Sequence, residues 1–345
     1  MRMLQTLMRL GETVPWPDAV TQAAIASLVA RTQRKLSRAA PDADRRFAAD
    51  MTAYPIAPHA AAANAQHYEI PQEFFTLILG PQRKYSCCLY GGSNDTLAVA
   101  EERALQVTAD HADLADGQRI LDLGCGWGSL SLWMAQRYRA ARITAVSNSR
   151  SQREFILDVA RAQALTNLEV ITADMNDFGP TGRFDRVVSV EMFEHMANWR
   201  PLLRRMRDCL DPQGRMLLHV FANSRASYRF AADNKADWIA QHYFTGGIMP
   251  SRNLIRQFPD CFTVDREWWW DGRHYARTAR HWLQNFDSNA GAIFEILKQI
   301  YGADARLWRR RWRLFFMATT GLFGHAAGDE WGVSHYLLGP NQSGR

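Results

Sequence analysis

Short apolar runs alternate with segments of helical periodicity through the middle of the chain. Such runs predict parallel strands that are buried on both faces of a sheet. They lie at Arg119–Leu123, Arg142–Val146, Leu168–Thr172, Asp185–Val190 and Gly214–Val220. Helical segments are predicted between them, including Ser129–Tyr138, Ser151–Gln163 and Trp199–Leu210. This alternation is typical of an α/β fold with a doubly wound sheet.

The flanking regions are predominantly helical in pattern. Ala19–Leu36 has apolar residues at helical spacing and a basic end. We expect a packed accessory helix there, although a basic amphipathic helix can also lie on a membrane. Further helices are predicted at Glu73–Leu79, Thr96–Ala112 and within residues 288–318, and a closing strand is predicted at Trp331–Leu338. Residues 221–285 read as polar loops that are rich in aromatic residues.

A glycine-rich turn, Asp122-Leu-Gly-Cys-Gly-Trp-Gly128, follows the first predicted strand. Alternate glycines let the backbone turn tightly and approach a ligand. The third glycine comes one residue too early for the dinucleotide fingerprint, and no Lys-Ser/Thr pair follows as in a P-loop. The pattern resembles the first motif of class I S-adenosylmethionine (SAM) methyltransferases. The resemblance implies that Asp122, Gly124, Gly126 and Gly128 bind SAM.

Polar residues also end the next two predicted strands. Many nucleotide-type sites place a carboxylate after the second strand to hold ribose hydroxyls. This chain instead has Ser147, Asn148 and, one turn later, Gln152, which can donate and accept hydrogen bonds and can also cap the next helix. Asp174 and Met175 end the third strand, where a carboxylate could accept the adenine amino group beside an apolar side chain.

The fourth predicted strand runs directly into Glu191, Glu194 and His195. SAM carries an excellent methyl donor, so an enzyme needs mainly to align a nucleophile that has a free lone pair. An alkyl amine is mostly protonated at neutral pH, and a carboxylate or imidazole can remove that proton. We therefore predict that these three residues are catalytic. The structural alternative is that they cap the following helix.

Charge and composition exclude several classes of function. The net charge of +6 is spread along the chain, and no block of like charge suggests a nucleic-acid-binding tail. The basic, aromatic stretch Leu307–Arg313 is interpreted as a solvated face with inward tryptophans. The five cysteines form no C-x-x-C pair, so we expect neither a disulfide framework nor a metal site. With no long apolar run and no cleavable leader pattern, the expected compartment is the cytoplasm.

Three motifs together resemble the cyclopropane-fatty-acyl-phospholipid synthase family of SAM enzymes. They are Tyr85–Cys87, Asp122–Gly128 and Ser189–Met196. Further stretches are similar to the coclaurine-type N-methyltransferase branch of that family, and they are Ser86–Cys88, Phe244–Ser251, Gly272–Thr278 and Gly328–Trp331. The resemblance implies a class I SAM methyltransferase fold in three parts. These are an N-terminal helical extension and lid (1–95), a SAM-binding core (96–222) and a substrate cap with helices and a closing strand (223–345).

The resemblance also implies roles for individual residues. Tyr85 and Ser86 would contact SAM from the lid, and Glu191, Glu194 and His195 would face an amine substrate. Cyclopropane synthases use a bicarbonate ion as the base, held by residues that match Cys87, Glu194, His219 and Tyr275. All four residue types are present here. However, Glu191 stands where several of those enzymes have a small residue, and a second carboxylate would repel bicarbonate and favour a cation.

These observations predict a SAM-dependent N-methyltransferase that acts on a small amine, cyclic amines included. The alternative is a cyclopropane synthase that adds a methylene to an unsaturated acyl chain, with bicarbonate as base and contact with a membrane surface. A SAM-binding protein without catalysis conflicts with the Glu/Glu/His cluster, and a nucleic-acid binder conflicts with the dispersed charge. The sequence leaves the acceptor, the number of methyl transfers and the oligomeric state open, a homodimer among the options.

Overall fold

The computed structural model describes residues 12–14, 16–58, 70–230 and 238–341. The strands are β1 (Arg119–Leu123), β2 (Arg142–Ser147), β3 (Leu168–Thr172), β4 (Phe184–Val190), β5 (Leu210–Asn223), β6 (Tyr228–Arg229), β7 (Ile248–Met249), β8 (Phe262–Asp271) and β9 (Trp331–Pro340). The α-helices are α1 (Asp18–Leu36), α2 (Ala43–Asp50), α3 (Gln72–Ile78), α4 (Leu97–His111), α5 (Ser129–Arg137), α6 (Arg150–Ala162), α7 (Trp199–Cys209), α8 (Trp238–His242), α9 (Gly272–Ser288), α10 (Ala290–Tyr301) and α11 (Ala305–Phe323).

A seven-stranded sheet with the order β3-β2-β1-β4-β5-β9-β8 organises the fold. Strands β1 to β5 are parallel, whereas β9 runs antiparallel between β5 and β8. The strand order reverses between β1 and β4. In open α/β sheets, ligands bind at the carboxyl ends of the strands beside such a switch point. The topology therefore places the glycine turn after β1 next to the acidic segment after β4.

The predicted α/β class and the predicted core strands are confirmed. The interiors of β1, β2 and β4 are largely buried, as expected for strands that helices cover on both faces. The closing strand is also present, as β9. The prediction of loops over residues 221–285 is wrong in its second half, where β8 and most of α9 lie. Strand β8 is a half-exposed edge strand, so it lacks a continuous apolar run.

The N-terminal helix α1 is packed against α11. Arg313 of α11 donates to both carboxylate oxygens of Asp18 at 2.6 and 2.7 Å. In the neighbouring basic stretch, Arg311 pairs with Glu12 at 3.0 Å, and Trp312 is fully buried. These contacts agree with the interpretation of an accessory helix and of inward tryptophans. Among the described residues, no helix is long and apolar enough to cross a bilayer.

Candidate active site

The glycine turn between β1 and α5 adopts backbone conformations that favour glycine. The φ angles of Gly124, Gly126 and Gly128 are +86°, +53° and +77°. A Cβ at Gly124 would lie 2.4 Å from Cγ of Met192, and one at Gly128 would lie 2.6 Å from Cγ1 of Ile156. A Cβ at Gly126 would have no atom within 4 Å. Gly124 and Gly128 therefore permit close packing, whereas Gly126 faces open space.

Two cavities that are open to solvent meet at this turn. They share a border formed by Gly124, Gly126, Gln152 and Glu191. The predicted SAM residues of the first cavity are Tyr85, Ser86 and Asp122, and those of the second are Ser147, Asn148, Asp174 and Met175. Gly128 lines neither of these cavities and instead packs against Ile156 of α6. The structure therefore does not bring Gly128 together with the other residues predicted to bind SAM.

The residues around the second cavity suit a ligand with hydroxyl and amino groups. Ser147 donates to Oε1 of Gln152 at 2.6 Å, while the buried Nε2 of Gln152 has no hydrogen-bond partner in the described part of the chain. Ser149 caps α6 by accepting from the Gln152 N–H, so the capping role holds as well. Asn176 donates twice to Oδ1 of Asp174, at 2.8 and 2.9 Å, which fixes the orientation of that carboxylate. An unused buried donor beside a fixed acceptor fits the polar groups of a nucleoside.

Asp122 is buried beneath the first cavity. Burial raises the pKa of its carboxyl to about 6, although a hydrogen bond from Oγ of Ser131 at 2.5 Å acts in the opposite direction. A negative charge at this position is costly without a further partner. A cationic or hydrogen-donating ligand in the first cavity would supply that partner, which fits the amino and sulfonium groups of SAM.

Glu191 lies at the border of both cavities, with three hydrogen-bonding groups around its carboxylate. Oε1 accepts from the Cys87 N–H at 2.9 Å and lies 3.2 Å from Nε2 of His219, while Oε2 accepts from the Tyr275 hydroxyl at 2.7 Å. Burial raises its pKa, and the positive charge of Lys84 partly offsets that effect. Its φ of +49° is unusual for a residue with a side chain, and such strain is concentrated at functional sites. Glu191 is thus a buried, oriented carboxylate.

Lys84 belongs to the site, although the sequence analysis missed it. Its side chain is buried, and Nζ donates to Oγ of Ser86 at 2.5 Å and to the Cys87 carbonyl at 2.7 Å. The ammonium therefore holds Ser86 and Cys87 in place and also supplies a positive charge near Glu191. Its position next to the Tyr85–Cys87 motif was the available signal, but a single lysine in a loop is usually solvated.

Glu194 and His195 occupy different environments after β4. Glu194 is fully buried and lines neither cavity. Its Oε1 accepts from the Phe221 N–H at 2.7 Å, and Oε2 has no partner among the residues described. Burial and the nearby charge of Glu191 raise the pKa of Glu194 well above its usual range. His195 lines the second cavity, and its ring stacks on Phe244 at a centroid distance of 4.9 Å. The two carboxylates are therefore suited to different roles.

Comparison with known proteins identifies the family. A family model described as mycolic acid cyclopropane synthetase matches residues 57–328, which is most of the chain. The chain belongs to this family. Its fold is accordingly that of a SAM-dependent methyltransferase, with SAM as the methyl donor.

Individual relatives refine this assignment. The chain is 34% identical to an (S)-coclaurine N-methyltransferase from Thalictrum flavum subsp. glaucum, over 82% of this chain and 80% of the relative. It is 30% identical to the cyclopropane-fatty-acyl-phospholipid synthase of Escherichia coli K12, over 64% of this chain and 55% of the relative. A crystal structure of coclaurine N-methyltransferase with N-methylheliamine and SAH matches with a TM-score of 0.92 and 31% identity, covering 96% and 98% of the two chains.

A further structure, a cyclopropane synthase from Mycobacterium tuberculosis, shares the fold with a TM-score of 0.69 at 23% identity, over 83% of this chain and 99% of that chain. In both the sequence and the structure comparison, the coclaurine N-methyltransferase thus covers a larger share of this chain than the cyclopropane synthase, at higher identity. The resemblance expected from the sequence motifs is confirmed in both its family and its branch.

The hydrogen bond from Tyr275 to Glu191 provides a test of the site's electrostatics. The bond favours the ionised carboxylate and so lowers its pKa. In Tyr275→Phe we expect the pKa of Glu191 to rise, because the ionised form loses a donor. The acid limb of the pH profile of kcat/KM should then move to higher pH, with activity at neutral pH several-fold lower. Steady-state kinetics across a pH series would measure this shift.

Tyr336→Phe is the matched control for Tyr275→Phe. Tyr336 is also buried, but its hydroxyl donates to the Arg252 carbonyl at 2.8 Å rather than to a group of the site. This variant loses a buried hydrogen bond without altering Glu191, so its pH profile should match that of the unmodified protein. Identical profiles for both variants would contradict the role given to Tyr275.

Proposed function

We propose that this protein transfers the methyl group of SAM to the nitrogen of a small, ring-bearing amine. The observation that carries the proposal is the arrangement of hydrogen-bonding groups around Glu191. Cys87, His219 and Tyr275, which the family resemblance assigned to a bicarbonate ion, all contact the Glu191 carboxylate: the Cys87 N–H and the Tyr275 hydroxyl donate to it, and Nε2 of His219 lies within hydrogen-bond distance. The protein's own carboxylate thus takes the acceptor position that bicarbonate would need. This supports an amine acceptor over an olefin.

The residues of the site support a proton-accepting role for Glu191. SAM, when bound, supplies an electrophilic methyl group that needs only an aligned nucleophile. An amine that enters as an ammonium ion must first lose a proton to free its lone pair. Glu191 is positioned to attract the cation and accept this proton, and its raised pKa makes it a stronger base than an exposed glutamate. Glu194 lines neither cavity and accepts from the Phe221 N–H, so we assign it a positioning role rather than contact with the amine.

Aromatic rings beside these acids support a ring-bearing substrate. Phe244 stacks on His195 and contacts Phe221 edge-on at a centroid distance of 5.6 Å, while Phe323 stacks on Tyr275 at 4.3 Å. Flat apolar surfaces next to buried carboxylates favour a cation that carries a hydrophobic ring system. Relatives named as coclaurine and pavine N-methyltransferases fit this chemistry.

The proposal is tested by offering two acceptors to the purified protein with methyl-labelled SAM. One acceptor is a cyclic secondary amine such as tetrahydroisoquinoline, and the other is vesicles of a monounsaturated phospholipid. Both reactions add the same net CH₂, so product NMR rather than mass must distinguish them. We expect an N-methyl resonance from the amine and no cyclopropane resonance from the lipid. A labelled cyclopropane, with no methylated amine, would overturn the proposal in favour of lipid modification.

A further inference from the structure

A row of three imidazoles leads from Glu191 towards the surface of the protein. His219 on β5 and His335 on β9 are register partners across the antiparallel pair, and both are fully buried. His111, the last residue of α4, lies next to His335 and is half-buried. Its ring stacks on Trp268 of the edge strand β8 at a centroid distance of 3.8 Å. The row thus connects the candidate active site with an edge of the sheet.

The nitrogen atoms of these rings make close contacts at both ends of the row, with a break at its middle. Nε2 of His219 lies 3.2 Å from Oε1 of Glu191, and Nδ1 of His335 lies 3.0 Å from Nδ1 of His111. The rings of His219 and His335 are 4.3 Å apart between centroids. At that junction, Nδ1 of His219 and Nε2 of His335 are buried and have no partner within the described chain. These two atoms do not bond to each other here, so proton transfer between the rings requires one of the rings to rotate into hydrogen-bond contact.

The charges around the row keep its inner members neutral. Burial lowers the pKa of both His219 and His335 well below the usual range, and the positive charge of Lys84 acts in the same direction. A neutral imidazole has one N–H donor and one lone pair, so it can accept a proton on one nitrogen and release a proton from the other. Glu191 faces the inner end of the row and is the only carboxylate in hydrogen-bond contact with it among the described residues.

The outer end of the row is surrounded by several charged groups. Asp110 and Asp113 favour protonation of His111, while Arg266 opposes it. Burial nevertheless lowers the pKa of His111 to about 4. At neutral pH this ring is therefore also uncharged, and a proton that reaches it is released readily to water or buffer.

We propose that His219, His335 and His111 form a proton relay that carries the substrate proton from Glu191 to solvent. This inference rests on the proposed N-methyltransferase function. An N–H bond of the substrate ammonium breaks and an O–H bond forms on Glu191. The freed nitrogen lone pair can then form the new N–CH₃ bond as the S–CH₃ bond of SAM breaks and its electron pair stays on sulfur, which leaves S-adenosylhomocysteine. The proton then passes through the three imidazoles to bulk water, and Glu191 returns to its ionised form. One proton leaves for each methyl group that is transferred to a protonated amine.

The burial of Glu191 explains why such a path is needed. Its side chain is only 7% exposed in the structure, and that exposure is towards the cavities that the ligands would fill. With both ligands bound, the carboxylate has no direct contact with bulk water. Without an exit, the proton would stay on Glu191 and return to the amine. A chain of neutral imidazoles gives it a route through the sheet instead.

The relay is tested with variants of its outermost member, which does not touch either cavity. His111→Phe keeps a flat ring over Trp268 but cannot carry a proton. We expect its single-turnover methylation rate to fall about tenfold, with unchanged SAM affinity and unchanged KM for the amine. His111→Ala should be similarly slow, and added free imidazole should restore its rate. Trp268→Phe is the matched control, because it alters the same stack but leaves the imidazole in place.

The outcomes separate the relay from the proposed function. If the unmodified protein methylates amines and His111→Phe reacts at the same rate with the same solvent deuterium isotope effect, the relay is wrong and the function stands. If Trp268→Phe is as slow as His111→Phe and imidazole does not rescue His111→Ala, the effect is one of packing and the relay is again wrong. If the unmodified protein methylates no amine, both proposals fail. Imidazole-dependent recovery supports the relay.

Discussion

Replacing Glu191 with glutamine should reduce kcat for amine methylation by about 100-fold or more, which is the usual range for loss of a general base. The amide has nearly the same shape but cannot accept the substrate proton. The substitution also removes the charge that attracts an ammonium ion. In the unmodified protein the Tyr275 hydroxyl donates to Oε2 of Glu191, whereas the amide group of glutamine can place an N–H donor at that position. SAM affinity should change little, because the predicted SAM residues on the strands and glycine turn remain in place. Single-turnover kinetics and calorimetric titration with SAM would measure both effects.

The pH dependence of the unmodified protein bears on the same assignment. The pKa of Glu191 is raised by burial, and the reactive form is the ionised one. Activity should therefore be present above this raised pKa and should be lost as the pH falls through it, at a higher pH than an exposed glutamate with a pKa of about 4.3 would give. Glu191→Asp keeps a carboxylate, so this variant should retain some activity, and that activity should still fall at acidic pH. Full turnover by Glu191→Gln would contradict the proton-accepting role.

Replacing Gly126 with valine should abolish SAM binding while the protein remains folded. A Cβ at this position meets no protein atom within 4 Å, and the residue borders both cavities, so the new side chain would occupy ligand space. Excluding a well-fitted ligand in this way costs about 3 kcal/mol or more, which corresponds to about 100-fold in the dissociation constant. Calorimetric titration with SAM would measure the loss directly.

Gly117→Val is the matched control for Gly126→Val. Gly117 also has a positive φ, +81°, and open space around its Cβ position, but it is exposed and lies before β1, away from both cavities. Both variants incur a backbone strain of about 1–2 kcal/mol. They should therefore lose similar amounts of thermal stability, and only Gly126→Val should lose SAM. Equal SAM affinity in the two variants would contradict the placement of SAM at the turn.

The core of the fold was predictable because its strands are parallel and buried. Such strands need continuous apolar runs, and β1, β2 and β4 show them directly in the sequence. Strand β8 escaped prediction because an edge strand is partly exposed and its Trp268–Trp270 run does not alternate with polar residues. Antiparallel pairing with β9 decides its structure, and that pairing joins residues distant in the sequence.

The candidate site was predictable where function depends on local spacing. The glycine turn and the Glu191–His195 segment each lie within a few residues of one strand end. Roles that depend on contacts between distant parts of the chain could not be predicted from local spacing. Gly128 fits the SAM motif by spacing, but its position is decided by the closeness of Ile156 on α6. His111 and His335 are separated by more than 200 residues, and only the register of β9 and the end of α4 bring them together.

The position of β9 within the sheet has a consequence for how the protein is made. This strand, residues 331–340, follows every other described strand in the sequence, yet it lies between β5 and β8. During synthesis on the ribosome, β8 has no neighbour in the sheet until β9 has emerged. Trp268 and Trp270 therefore stay exposed until their pairing partners His335 and Val333 have been synthesised. Such non-local pairing is slow and leaves apolar surface open to aggregation. The yield of folded protein in a recombinant host should therefore depend on chaperones that shield β8 until β9 has emerged.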